Sequence, residues 1–148
     1  MSESGDMFRF AERCLYEYQE NAARLEQLRA DLEHLSSVSV TNYEAEGAPP
    51  AGGHSDPVWA YVGRVMDIEE EIARLARRTE PITRMRANIE APYVLEGSLK
   101  YELAQVMKLY YFGGNDKGKA AKTLGMSRRT LYNKREQLVR MTLRYMGL

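Results

Sequence analysis

Residues 120–138, AAKTLGMSRRTLYNKREQL, place one glycine in an otherwise helix-forming run and follow it at once with a serine and two arginines. A helix-turn-helix needs a small residue where its helices cross, a turn residue tolerant of positive φ, and apolar positions that lock the pair at a steep angle. Ala120 and Ala121 supply the close crossing, Leu124 closes the first helix inward, and Gly125 stands in the turn. Met126 is expected to point into the core, Ser127 to cap the second helix, and Leu131 and Leu138 to continue its buried face. Turn and packing thus fall to Ala121, Leu124, Gly125, Leu131 and Leu138.

What remains outward on the second helix is Arg128, Arg129, Tyr132, Asn133 and Glu136, gathered toward the N-terminal end that a recognition helix presents to base edges. Arginine can fork onto guanine and asparagine onto adenine, while Thr130 and Tyr132 can reach a phosphate or a thymine methyl. The expected base-reading set is Ser127, Arg128, Arg129, Thr130, Tyr132 and Asn133. Lys117, Lys119 and Lys122 on the preceding helix, with Lys134 and Arg135, form the expected set for the DNA backbone, where contacts give affinity without sequence choice.

A formal net charge of zero argues against a nucleic-acid partner until its distribution is read. From Gly97 to Leu148 eleven lysines and arginines face three acids, whereas residues 1–96 hold ten bases and eighteen acids. The basic part is the one suited to a polyanion.

Working outward, a third helix is expected from a Ser98 cap, with Leu99, Leu103, Val106, Met107 and Tyr110 as its apolar face and Gly113, Gly114 and Asn115 as its stop. The range 98–148 is read as one compact C-terminal domain. Before it, residues 1–36 follow an alternating three-and-four spacing through Phe8, Ala11, Leu15, Tyr18, Ala22 and Leu25, continued by Leu28, Leu32 and Leu35. Residues 37–55, with APPAGG at their centre, read as a flexible Gly/Pro connector. Asp56 and Pro57 then supply a cap and a first helical position for a long helix over 56–92, carrying Val58, Tyr61, Val65, Ile68, Ile72, Leu75, Thr79, Ile82 and Ile89 inward. Pro81 predicts a kink or a break in it. The fold class is all-α, a long coiled-coil-like N-terminal hairpin followed by a compact helix-turn-helix domain. The stripe of Leu25, Leu32, Ile68, Ile72 and Leu75 suits pairing within one chain or between two.

Two resemblances follow from these residues. GNDKGKAAKTLGMSRRTLYNKREQL resembles the Fis-type helix-turn-helix at the C-terminus of bacterial enhancer-binding activators, over about 25 residues, with Arg135 to Gln137 departing from the usual lysine-leucine continuation. The wider layout, with SDP, DIEEEIARL and YELAQVMKLYYFGG ahead of the terminal motif, is similar to phage late-gene regulators of the ArpU and RinA kind. Their terminal helices are related to the promoter-reading fourth region of primary sigma factors, although GGNDKGKAA stands here in place of the acidic entry typical of that region. The resemblance implies a regulator of phage or prophage genes, an activator acting with host RNA polymerase in the bacterial cytoplasm; the helical arm, with the habit of such modules of reading two half-sites, suggests a homodimer.

Other classes fare worse. There is no Ser/His/Asp order, no glycine-rich phosphate loop and no metal-ligand cluster around His34 or His54, so no enzyme, cofactor or metal is expected. The apolar runs are short and broken by charge, which predicts no membrane segment and a soluble protein. The lone Cys14 sits at apolar spacing and reads as a small buried side chain. The strongest rival is a packaging or assembly protein of the small-terminase type, oligomerising through its helical arm. In such subunits the DNA-binding part usually comes first, and here the basic motif comes last.

Overall fold

The computed structural model describes residues 2–46 and 57–148, with side chains in residues 3–37 and 57–148. It is an all-α fold: α1 (Ser2–Glu46), α2 (Pro57–Ile89), α3 (Leu99–Val106), a π-helical turn (Met107–Tyr111), α4 (Lys117–Leu124) and α5 (Arg128–Tyr145). Residues 47–55, the second half of the expected connector, lie outside the described residues, as does the Asp56 cap.

Two boundaries differ from expectation. α1 continues ten residues beyond Ser36, to Glu46, so the first half of the expected connector is helical. The reason lies in the composition: SSVSVTNYEAE contains neither glycine nor proline, and the strong breakers begin only at Gly47. α2 runs unbroken through Pro81 to Ile89. Proline removes a single backbone donor, and both Pro81 and Ile82 are buried, so packing offsets the lost hydrogen bond and the break is absent.

The chain divides into two compact units, residues 1–21 with 77–148, and residues 22–76. Both long helices pass through both units, so the division does not fall at the connectors that composition marks. In the unit of residues 22–76, Leu25, Leu28 and Leu75 form a buried cluster with Ile68, Ile72 and Ala76 packed against it. Of the expected stripe, Leu25, Ile68, Ile72 and Leu75 therefore meet within one chain. Trp59 and Met66 of α2 are exposed.

The larger unit holds most of the core. Ala11, Cys14, Leu15 and Tyr18 from α1, Ile82, Met85 and Ile89 from α2, Leu103 and Val106 from α3, and Leu131, Leu138 and Val139 from α5 are all buried. Each fully buried leucine or isoleucine contributes about 1.5–3 kcal/mol relative to exposure. Cys14 is part of this core, and burial pushes its thiol up to about 11 against the opposing charge of Arg78. Leu99 departs from expectation: it opens α3 on the solvent side, and the buried face is Leu103, Ala104, Val106, Met107, Tyr110 and Tyr111.

The π turn explains how neighbours Tyr110 and Tyr111 both turn inward. The Phe112 N–H donates to the Met107 carbonyl five residues back, at 3.0 Å, and the extra residue shifts the phase of the face. Asn115, at φ 64°, closes the segment by donating its backbone N–H to the Tyr110 carbonyl at 2.9 Å.

Candidate nucleic-acid interface

The C-terminal motif is built from two capped helices and one left-handed turn. Asp116 caps α4, its Oδ1 accepting from the Lys119 N–H at 3.0 Å. Gly125 ends α4 at φ 67° and ψ 32°, and its N–H returns to the Lys122 carbonyl at 3.2 Å. A left-handed residue there costs a side-chain-bearing amino acid about 1–2 kcal/mol, which glycine avoids. Met126 follows with its N–H on the Ala121 carbonyl at 3.0 Å, giving the paired bonds of a Schellman-type stop. Ser127 caps α5, its Oγ accepting from the Thr130 N–H at 3.1 Å.

Inside the motif Ala120, Ala121, Leu131 and Leu138 are buried, while Leu124 and Met126 are half-buried. The alanines permit the close crossing of α4 and α5. Outside it, Arg128, Arg129, Thr130, Tyr132 and Asn133 are exposed along the first two turns of α5, and Lys117, Lys119 and Lys122 are exposed on α4. Nine of the eleven expected contact residues, Ser127 among them, are therefore exposed on one small motif, five of them cationic.

Residues 109–138 match the Fis family of bacterial regulatory proteins. The Fis-family match spans the end of the π turn, α4, Gly125 and α5 as far as Leu138, and it supports a helix-turn-helix regulator that binds DNA. No curated protein and no solved structure matches the chain. Among the described residues no helix is long and apolar enough to cross a membrane, and no group of three or more His, Cys, Asp or Glu is placed to hold a metal ion.

Within the Fis-family segment, individual side chains sharpen or correct the expected roles. The Ser127 hydroxyl is occupied by the cap, accepting from the Thr130 N–H and donating to Thr130 Oγ1 at 3.0 Å. Arg128 lies back against the first turn of α4. A Cβ on Gly118 would stand 3.0 Å from the Arg128 Nη2, so the bare backbone makes room for the guanidinium.

Two residues assigned to the DNA backbone are committed within the protein. Lys134 pairs with Glu102 of α3 at 2.8 Å, its side chain mostly covered. Arg135 faces inward, with its Nε on Glu12 Oε2 at 2.5 Å and its Nη2 on Glu12 Oε1 at 3.3 Å. The physical reason is helical phase: Leu131, Arg135, Leu138 and Thr142 lie on the stripe that α5 turns to the core, and 3-4 spacing cannot bring Arg135 out with Tyr132 and Asn133.

The site that residue-by-residue reading missed is the polar cluster beneath the motif. Glu12 also accepts from the Tyr111 hydroxyl at 2.8 Å, and the Tyr16 and Tyr110 hydroxyls are hydrogen-bonded to each other. The three rings meet edge to face, with centroids 4.9–5.8 Å apart. Burial raises the pKa of both the Tyr16 and Tyr111 hydroxyls, assisted by the Tyr110 bond in the first and the Glu12 bond in the second. Burial works against the charge on Arg135, but the hydrogen bond and negative charge of Glu12 outweigh it, and the guanidinium is held cationic more firmly than usual. An arginine on the buried stripe was the available signal, since a covered charge requires a partner.

Proposed function

We propose that the protein is a sequence-specific, DNA-binding transcriptional regulator whose α5 enters the major groove. The observation that carries this reading is the exposed set Arg128, Arg129, Tyr132 and Asn133 at the start of a serine-capped helix, flanked by the α4 lysines. Arginine and asparagine can read base edges there, while Lys117, Lys119 and Lys122 contact phosphates and fix the register. Ser127 and Thr130 act mainly through the cap.

The finer reading is a regulator of phage or prophage genes, an activator working with RNA polymerase in the bacterial cytoplasm. It rests on the resemblance of the layout to late-gene regulators of the ArpU and RinA kind. A homodimer belongs to the same reading, because helix-turn-helix modules commonly read paired half-sites.

The test is fluorescence anisotropy on 30-base-pair duplexes enriched from a random pool. Replacing Arg128 and Arg129 together by alanine is expected to lower affinity by about 10- to 100-fold with helicity intact by circular dichroism. Wild-type affinity should fall steeply between 50 and 200 mM salt. A flat salt response, or undiminished binding by the double variant, contradicts the proposal. Native mass then separates a monomer or dimer, as expected of a regulator, from the many-membered ring of a packaging subunit.

A further inference from the structure

The base-facing surface of α5 includes one large ring, Tyr132, which is 55% exposed. An exposed tyrosine would ordinarily sample several rotamers, and a ring without a fixed direction discriminates poorly between bases. Here the guanidinium of Arg135 lies over it, 5.1 Å from the ring centroid. Arg135 is in turn immobilised by the two-pronged grip of Glu12, with only 14% and 15% of the two side chains exposed. Tyr111, rooted in the π turn, donates its hydroxyl to the same Glu12 Oε2 that accepts from the Arg135 Nε.

We propose that Glu12 of α1 is a positioning residue for DNA recognition, acting through Arg135 to fix the Tyr132 ring on the face that α5 presents to the duplex. The inference rests on the DNA-binding reading above and adds to it that specificity depends on a residue 120 positions from the ring it steers. A planar fork is essential to this arrangement, because it can grip a carboxylate along one edge while offering a flat face to an aromatic ring. Lysine at 135 could keep the charge pairing but not the plane. The pair also keeps the cation of Arg135 away from phosphates, so its release would add sequence-independent attraction while removing discrimination.

The experiment compares two duplexes, one enriched from a random 20-base-pair pool and a scrambled duplex of equal composition, and reads the ratio of affinities. Glu12→Gln and Arg135→Lys are each expected to lower this ratio about fivefold, mostly by weakening the enriched duplex, with melting temperature recorded alongside. In a Tyr132→Ala background, Glu12→Gln is expected to change the ratio no further. A melting shift alone does not move the ratio, so a merely structural role is distinguishable.

Equal weakening on both duplexes, an unchanged ratio, or a full further loss in the Tyr132→Ala background overturns the role of Glu12. If Arg128→Ala with Arg129→Ala still abolishes binding in those cases, the DNA-binding reading stands without it. A wild-type protein that binds neither duplex, or binds both equally, overturns the inference, and the first of these removes the DNA-binding reading as well.

Discussion

The same two helices, α1 and α2, have different companions in the two units of the molecule, and their burial differs accordingly. Over residues 22–76 they bury a short leucine stripe, and their charges stay wet: Arg24 and Glu71 meet at 3.4 Å with 52% and 34% of their side chains exposed. In the unit of residues 1–21 and 77–148, α3 and α5 cover the same helices, and Glu12, Arg135, Tyr111, Thr79 and Thr142 are wholly or largely buried among apolar neighbours. Where two helices pack alone, each hides one stripe and polar groups turn to water. Added helices cover the flanks, and every polar group trapped there needs a partner.

Leu138→Ala should give the largest loss, about 3–5 kcal/mol by chemical denaturation, because the fully buried side chain leaves a cavity walled by several helices. Leu28→Ala in the smaller unit should cost less, about 2 kcal/mol, since a two-helix stripe can collapse onto the gap. Equal losses would break the comparison.

The two carboxylates give a sharper contrast. Glu12→Ala removes the partner of a covered guanidinium and should cost about 2–4 kcal/mol. Glu71→Ala removes the partner of an exposed one and should cost under about 0.5 kcal/mol.

Cys14 reports the same burial chemically. With its thiol pushed up to about 11, the native protein at pH 8 should alkylate with iodoacetamide about a hundredfold more slowly than the unfolded chain, because thiolate is the reacting form. Comparable rates would mean that the core of the larger unit opens freely.

The turn should give an effect between those of the two carboxylates. Gly125→Ala meets open space, so its cost is conformational alone, about 1 kcal/mol in thermal melts.

Much of the helix-turn-helix was legible in the sequence because its determinants are local. Ser127 and Gly125 act within four residues of themselves, through a cap and a turn whose chemistry depends on residue type. The exposed α5 residues follow from the same helical phase. That phase also turns Arg135 inward, so its charge alone is a poor guide to the DNA side. Its partner, Glu12, could not be read at all, since nothing local links positions 123 residues apart. The π turn was likewise hidden, its extra residue becoming visible only in where Tyr110 and Tyr111 point. The extension of α1 to Glu46 was available in composition, where no breaker precedes Gly47.

The central claim is that the first turns of α5 read duplex DNA. Anisotropy titration of the enriched duplex with wild-type protein and with the Arg128→Ala, Arg129→Ala double variant tests it most directly. The account predicts at least about a tenfold loss of affinity in a variant that retains its helicity and melting temperature. Equal affinity of the two proteins for that duplex would contradict it.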